Sequence, residues 1–170
     1  MIEQRTAFQT EWGWIELAAS DTGITSIVLP HLDRAGDKNG HKIAEDSKTC
    51  GMAASLLNQA KQQVIEYLDG RRREFSLPVD LSHGTAFQRR VWRAILRIPY
   101  GRVRSYQWVA EKVGGKQYAR AVGMALGSNP VPILVPCHRI IAHDGSLGGF
   151  GCGLPMKRRL LKLEGTLPIE

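Results

Sequence analysis

The residues best suited to chemistry in this chain stand side by side, as Cys137, His138 and Arg139. They follow Pro136 and the apolar run 133–135, and this pattern predicts a cysteine at the end of a buried strand. The thiolate is the reactive form of cysteine, and a neighbouring base or positive charge populates it near neutral pH. The segment is therefore a candidate nucleophile with its base. The alternative is an inert cysteine, because free cysteine is among the most buried residue types.

The basic residues are concentrated in the C-terminal half of the chain. Residues 84–165 hold 14 of the 23 lysines and arginines but only 3 of the 16 aspartates and glutamates, a net charge of +11, whereas the remainder carries −4. A generic solvated surface accounts for the total of +7 but not for this partition. The partition favours a polyanion, above all nucleic acid, as the partner of residues 84–165.

Bulk features indicate the compartment. Three cysteines without paired spacing do not make a disulfide framework, which favours a reducing environment. The chain has no run of about 18 apolar residues that could span a bilayer, so we expect no membrane partner. Residues 1–5 lack the plan of a secretory signal. We therefore expect a cytoplasmic protein, associated with the nucleoid if its source is a prokaryote.

The first 80 residues have the pattern of an α/β domain. Segments 14–19 and 24–29 predict strands around a turn at 21–23, and residues 75–79 predict a further strand. Residues 31–50 are polar and contain glycine, which indicates a loop. We therefore predict an N-terminal domain over residues 1–80. Its helix is marked by apolar residues at helical spacing before a terminating glycine, namely Leu57, Ala60, Val64, Leu68 and Gly70.

A second domain is predicted over residues 84–165, after a boundary near residues 82–84. Thr85 and Gln88 form a capping box that begins its first helix, and residues 99–101 break that helix. Ser105 can cap a second helix that runs through Val113, and residues 114–115 turn the chain into a third helix over about 117–126. Two short helices around a glycine turn indicate a helix-turn-helix. The apolar face of the first helix consists of Phe87, Val91, Ile95 and Ile98.

Small residues and one long cation distinguish the third helix. Arg120 projects among the small residues Ala119, Ala121, Gly123 and Ala125, and we expect these residues to share one face of the helix. Small side chains let a partner approach closely, and an arginine suits the strongly negative potential of a narrow minor groove. The alternative is tight helix packing with a surface arginine.

Residues 144–153 form a glycine-dense loop that carries one aromatic residue, Phe150. Glycine-rich backbone loses much conformational entropy on folding, which is costly in a purely structural linker. The loop is better suited to forming the wall of a binding site that lies close to a flat ligand. A last helix begins near Pro155 and ends at Glu164 and Gly165. A glutamate in the final turn opposes the helix dipole. Glu164 is therefore either a site residue or an exposed side chain tolerated at a helix end.

Together these motifs resemble the O6-alkylguanine-DNA alkyltransferases, also called methylated-DNA–protein-cysteine methyltransferases, over about residues 84–165. The matching segments are 84–88, 98–101, 105–106, 119–123, 128–130, 136–140, 147–149 and 160–165. Residues 1–80 are compatible with the family's N-terminal domain. The resemblance implies an α/β, ribonuclease-H-like N-terminal domain followed by a mostly α-helical, winged-helix-like domain with a helix-turn-helix.

The same resemblance implies an activity. It implies DNA repair by direct, stoichiometric transfer of the alkyl group from O6-alkylguanine to Cys137, with O4-alkylthymine as a further candidate substrate. Such a methylated-DNA–[protein]-cysteine S-methyltransferase acts once, because a thioether has no easy leaving route. The expected partner is double-stranded DNA containing O6-alkylguanine, bound through its minor groove with the target base flipped out. We expect a monomer that needs no cofactor and no metal.

The resemblance also assigns catalytic roles. Cys137 matches the alkyl acceptor, and His138 matches the histidine that deprotonates it through a water molecule. Glu164 matches the carboxylate that orients this histidine, and Asn129 matches the asparagine that braces the turn.

Further roles concern the base and the DNA. Tyr106 matches the tyrosine that contacts the flipped guanine, and Phe150 stands where members often have tyrosine. Arg120 matches the arginine that fills the space left in the DNA base stack by the flipped-out base. Base-reading backbone groups are expected at Cys137, Ile140 and Gly151, and further DNA contacts at Ser105, Ala119, Ala121 and Gly123.

The chain departs from the family at two further points, which concern the fit of the third helix to the DNA groove and the ligands of a zinc ion. Tyr118 stands on the third helix where a small residue is usual. The zinc ligands of some eukaryotic members lack cysteine counterparts here. A metal site could be built only from His31, His41, His83 and Cys50, and isolated histidines are usually surface or core residues.

Three alternative functions remain open. A non-catalytic reader of alkylated DNA would share the framework, but such proteins replace the acceptor cysteine. A cysteine hydrolase using Cys137 and His138 would leave the basic helix-turn-helix unexplained. A transcription regulator would carry an incidental thiol.

Overall fold

The computed structural model describes residues 3–32 and 51–166. The chain divides into two compact units, Met1–Leu81 and Ser82–Glu170, each with its own core. The loop predicted over 31–50 falls almost entirely on residues 33–50, which lie outside the described residues. In the described part of the chain, every helix is too short or too polar to cross a membrane.

The N-terminal unit contains a three-stranded antiparallel sheet. Strands β1 (Gln4–Thr10), β2 (Gly13–Ala19) and β3 (Ile24–Val28) pair in the order β1-β2-β3. The predictions of β2 and β3 are confirmed, whereas β1 was not predicted. Only Phe8 of β1 is fully buried, so the apolar alternation that marks a strand is missing from its sequence.

Helix α1 (Met52–Leu68) packs on this sheet. It buries the predicted residues Leu57, Ala60 and Val64, and Gly70 follows it with φ of 77°. The strand predicted at residues 75–79 is wrong. This segment makes only an isolated parallel bridge to Ile24, in part because Pro78 has no N–H to donate to a ladder.

The C-terminal unit is built from four helices and two very short strands. Helices α2 (Ala86–Ile95), α3 (Tyr106–Val113) and α4 (Ala119–Gly127) pack on one another, and α5 (Leu154–Leu163) follows the glycine-rich loop. Strands β4 (Arg104–Ser105) and β5 (Ile140–Ile141) pair in parallel. The pairing joins the start of α3 to the chain just after Cys137, so it fixes the distance between two parts of the candidate site.

The predicted starts of α2 and α3 are confirmed, whereas the end of α2 and the start of α4 differ from the prediction. The Thr85 hydroxyl accepts from Gln88 N, and the Gln88 side chain accepts from Thr85 N, which completes the capping box. Helix α2 ends at Ile95, earlier than predicted, although Ile98 is still buried. Helix α4 begins at Ala119 after a 3₁₀ turn at Lys116–Tyr118.

Helices α3 and α4 form the predicted helical pair around Gly114 and Gly115, whose φ values of 148° and 144° favour glycine. A side chain at Gly114 would place its Cβ 2.8 Å from the Tyr118 ring. That ring also contacts Phe87, at 5.8 Å between ring centroids. Tyr118 therefore packs beside α2, although 41% of its surface remains exposed.

The prediction of one small-residue face on α4 is wrong for Ala125. This residue is buried with Val122, and its carbonyl accepts from Trp92 Nε1 at 2.8 Å. Residues two apart on an α-helix point to nearly opposite sides, so an alternating small pattern cannot form one face. The exposed side of α4 instead carries Arg120 and Met124, the latter 73% exposed.

Candidate active site around Cys137

The chain between α4 and Cys137 is a buried turn, not the predicted strand. Asn129 replaces the missing ladder: its Nδ2 donates to Val135 O at 2.8 Å, and its Oδ1 accepts from Val131 N at 2.9 Å. Ile133 adopts φ of 75°, a rare conformation for a β-branched residue. Both arrangements hold the turn in a single shape and deliver Cys137 into a 3₁₀ turn, Cys137–Arg139.

A cavity of about 380 Å³ opens beside Cys137. It brings together several predicted site residues from three parts of the unit: the start of α3, the second half of α4 and the glycine-rich loop. This volume falls within the range of small-ligand sites. The lining residues are Tyr106, Gly123, Leu126, Gly127, Cys137, Gly149, Phe150 and Gly151.

Burial strongly affects the Cys137 thiol. It raises the pKa of the thiol from its ordinary value of 9.0 to about 11, and a hydrogen bond from Asn129 opposes this rise only in part. The Lys157 ammonium also lowers the pKa, by a smaller amount. The thiol is therefore protonated at neutral pH in the folded protein, and the adjacent positive charges do not by themselves populate the thiolate. Reaction at Cys137 needs a base.

His138, the next residue along the chain, is fully buried. Its Nε2 lies 2.8 Å from Glu164 Oε2, and burial, the largest influence, lowers the pKa of the imidazole. A neutral imidazole has one donor nitrogen and one acceptor nitrogen. Because the Glu164 carboxylate can only accept, Nε2 must be the donor, and Nδ1 carries the lone pair. Within the described residues, Nδ1 has no hydrogen-bond partner.

Glu164 is held as a carboxylate by Arg139. Arg139 Nε donates to Oε1 at 2.8 Å and Nη2 donates to Oε2 at 3.0 Å, and both side chains are buried. The remaining guanidinium nitrogen donates to Ile98 O at 2.7 Å. Glu164 is therefore not an exposed residue tolerated at the end of α5. The pairing of Arg139 with Glu164 was not predicted, although the position of Arg139 directly after His138 was a usable sign.

Lys157 is a second residue whose role the sequence analysis missed. It is fully buried, and its ammonium donates to Ile140 O at 2.5 Å, to Gly149 O at 3.0 Å and to Leu147 O. Burial lowers the pKa of Lys157 from 10.5 to about 8, and the Cys137 thiol partly counteracts this shift. The lysine ties the glycine-rich loop to β5. The available sign was its place on the buried face of α5, four residues before Leu161.

Tyr106 and the glycine-rich loop fit closely together. The Tyr106 hydroxyl accepts from Gly149 N at 3.1 Å. A Cβ at Gly148, whose φ is 68°, would lie 2.5 Å from that hydroxyl oxygen. Ser105 caps α3 as predicted, because its hydroxyl accepts from Trp108 N at 3.0 Å. Ser105 therefore helps to position Tyr106.

The backbone groups predicted to read the base are partly engaged inside the protein. Ile140 O accepts from Lys157, and Cys137 O accepts from Ile140 N at the end of the 3₁₀ turn. Each carbonyl retains a second lone pair. Gly151 is exposed and lies on the cavity wall.

Apart from Ser105, the residues predicted to contact DNA lie on α4. Arg120 is exposed and forms neither a hydrogen bond nor an ion pair with the residues that the structure describes. Ala119, Ala121 and Gly123 are half-buried, and a Cβ added at Gly123 would meet nothing within 4 Å. Gly123 also lines the Cys137 cavity, so α4 connects the exposed cation to the candidate site.

Potential metal ligands do not cluster in the described part of the chain. No group of three His, Cys, Asp or Glu side chains there could hold a metal ion. Of the weak candidate set, His41 and Cys50 lie outside the described residues.

Comparisons with known proteins agree for both units. Residues 5–81 match the family model described as 6-O-methylguanine DNA methyltransferase, ribonuclease-like domain, and residues 86–166 match its DNA binding domain. The methylated-DNA–protein-cysteine methyltransferase of Mycolicibacterium paratuberculosis is 40% identical over 164 residues, which cover 96% of this chain and 93% of the relative. The constitutive methylated-DNA–protein-cysteine methyltransferase of Bacillus subtilis is 39% identical over 160 residues, covering 94% and 93%.

Solved structures give the same result. The crystal structure of Mycobacterium tuberculosis OGT in complex with DNA is similar with a TM-score of 0.75 at 36% identity, covering 97% of this chain and 95% of that one. Both halves thus match one family in sequence, and nearly the whole chain matches it in structure. This chain belongs to the methylated-DNA–protein-cysteine methyltransferase family.

Proposed function

We propose that this protein repairs DNA by moving the alkyl group of O6-alkylguanine onto Cys137. One observation carries the proposal. Arg139 is hydrogen-bonded to Glu164, and Glu164 is hydrogen-bonded to His138, in a buried chain of contacts next to Cys137, which lines a cavity. A thiol with a pKa of about 11 needs a base, and the geometry supplies one neutral imidazole with a fixed lone pair. The names of the relatives agree with this activity.

The proposed step balances as a displacement. The Cys137 proton passes through a bridging water to His138 Nδ1, and the thiolate attacks the alkyl carbon. The sulfur–carbon bond forms as the carbon–O6 bond breaks, and the electron pair goes to the guanine, which takes up a proton or a hydrogen bond. Tyr106 is the proposed hydrogen-bond donor. The thioether product has no leaving route, so each molecule reacts once.

The target base must leave the duplex to reach the cavity. Extruding a base costs a few kcal/mol, and less for a lesion that pairs poorly. We propose that α4 lies in the minor groove and that Arg120 occupies the vacated stack. Phe150, on the cavity wall, is the proposed stacking partner of the flipped base. Ala119, Ala121 and Gly123 would allow the groove to approach α4 closely.

The proposal also assigns a fold type to each of the two domains. We propose that residues 84–165 form a winged-helix-like domain that binds DNA and accepts the alkyl group. Residues 1–80 would form a ribonuclease-H-like domain. The protein would act as a monomer on chromosomal DNA in the cytoplasm.

The test uses a duplex that carries one O6-methylguanine with a labelled methyl group. We expect one equivalent of label on the Cys137 peptide, identified by mass spectrometry. Cys137→Ala should abolish the transfer, and the matched control Cys152→Ala should retain it. Label that stays on DNA bound by the folded protein would contradict the proposal and favour a non-catalytic reader, and label on Cys152 would contradict the acceptor assignment.

A further inference from the structure

A second cavity, of about 350 Å³, lies between α2 and α3 in the C-terminal unit. We call it the basic cavity. It shares no lining residue with the cavity at Cys137, and α4 contributes nothing to its lining. Its floor is apolar, formed by Ala94, Ile98 and Val113 beside the indole of Trp108. Its remaining lining is cationic: Arg90, Arg93, Arg97, Arg104 and Lys112.

The positive charge of the basic cavity is not neutralised inside the protein. No aspartate or glutamate lines it, and none of its five cations forms an ion pair with a carboxylate in residues 3–32 or 51–166. Like charges that line one small cavity repel one another. Clustering them therefore costs free energy that a bound anion would offset.

Several of these cations are held in place before any ligand arrives. The Arg104 guanidinium lies 5.6 Å from the Trp108 ring centroid, and Lys112 Nζ lies 5.4 Å from it, which is within cation–π range. Arg90 donates to Val113 O at the end of α3. Arg93 and Arg97 are exposed at the rim. Binding an anion here would immobilise few further side chains.

We propose that the basic cavity binds the phosphodiester backbone of a second segment of nucleic acid while α4 holds the first. Five cations exceed what a single phosphate can neutralise, so a chain of phosphates is the better match. Four of the five are arginines, whose planar forks suit phosphate oxygens. Because α4 contributes nothing to the lining, the second segment does not compete for the groove-reading face.

The experiment measures how many duplexes one protein molecule binds. Short undamaged duplexes of two different masses are offered in excess, and complexes are counted by native mass spectrometry. We expect wild-type protein to carry two duplexes. Arg93→Gln with Arg97→Gln should lose the second. The matched control, Arg102→Gln with Arg158→Gln, removes the same charge from exposed positions outside the cavity and should keep both.

The salt dependence of the second binding step gives an independent readout. With five phosphate contacts in the wild-type protein, the slope of log K for the second duplex against log salt should be about −4.5. Thermal unfolding checks that the variants are folded, and transfer to Cys137 is measured in parallel, so loss of the second duplex is separable from loss of repair.

Four results would overturn the inference. Wild-type protein could bind a single duplex, or the cavity variant could bind two duplexes as the control does. Alternatively, the cavity variant could weaken binding of the first duplex, which would make the basic cavity part of the primary interface. Displacement of the second duplex by an equimolar mononucleotide would identify a site for a small anion and would also overturn it.

Discussion

Arg139 and Glu164, 25 residues apart in sequence, form a two-point ion pair inside the C-terminal unit, with nitrogen–oxygen distances of 2.8 and 3.0 Å. Glu164 Oε2 is shared with His138 Nε2. Two adjacent residues of one 3₁₀ turn, His138 and Arg139, are therefore anchored to Glu164, the residue that caps the C-terminal end of α5. The pair links the stability of this unit to the tautomer of the proposed base.

Removing Arg139 should destabilise the protein strongly. Arg139→Met leaves the Glu164 carboxylate buried without its main partner, and breaking a buried pair in this way costs about 3–5 kcal/mol. Arg139→Lys keeps a positive charge but loses the two-point geometry, so its cost should be smaller. Urea unfolding measures both. A loss below about 1 kcal/mol for Arg139→Met would show that the pair contributes little.

Replacing Glu164 should slow transfer by a route other than unfolding. In Glu164→Gln the amide can donate as well as accept, so the Nε2–H tautomer of His138 is no longer imposed. General-base assistance is typically worth about 10²–10⁴-fold, and we expect a loss of single-turnover rate in that range. The pH–rate profile should change as well. Glu111→Gln, an exposed glutamate of α3, is the matched control. An unchanged profile in Glu164→Gln would reject the proposed relay.

The raised pKa of Cys137 has a direct consequence for its reactivity. Since the folded pKa is about 11 and the ordinary value is 9.0, the thiolate fraction near neutral pH is about 100-fold smaller than in the unfolded chain. Alkylation by iodoacetamide should therefore rise about tenfold per pH unit and reach no plateau at pH 9. Labelling of the Cys137 peptide is followed by mass spectrometry in folded and urea-unfolded protein. A plateau near pH 9 in the folded protein would contradict the burial argument.

Lys157 should prove to be a positioning residue for the glycine-rich loop. Lys157→Met fills similar space but leaves three carbonyls without their donor, and the buried one, Ile140 O, costs about 1–3 kcal/mol when unsatisfied. Hydrogen exchange should accelerate in residues 147–151 more than in α2. Transfer from an alkylated duplex should slow as the loop loosens. Lys162→Met, at an exposed position on α5, is the control. Unchanged exchange in the loop would show that Lys157 does not hold it.

Local patterns predicted the helices of this chain well and its irregular backbone poorly. The capping box at Thr85 and the cap at Ser105 are short-range features, so the sequence alone revealed both helix starts. The run 133–135 is apolar because it is buried, and burial alone does not separate a strand from a turn. The deciding contacts come from the Asn129 side chain, which bonds at both ends of the turn.

The site was predictable where residues carry a recognisable motif and unpredictable where charge is buried. Cys137 and Glu164 came from motifs, and their roles stay proposals. Lys157 was counted only toward the net charge, and Arg139 was named only for its charge beside Cys137, because a long cation is rarely fully buried unless it is paired. Their partners are a carboxylate 25 residues away and backbone carbonyls, whose positions depend on the tertiary fold.

Arg120 gives the sharpest test of base extrusion. If its side chain occupies the vacated stack, Arg120→Ala should slow transfer from an alkylated duplex, and the few kcal/mol at stake in extrusion allow a loss on the order of 10²-fold. Reaction with free O6-benzylguanine, which needs no extrusion, should change little. Arg158→Ala removes an exposed cation from α5 and controls for general charge. Equal losses of Arg120→Ala on both substrates would show that this arginine acts on the thiol site and has no part in flipping the base.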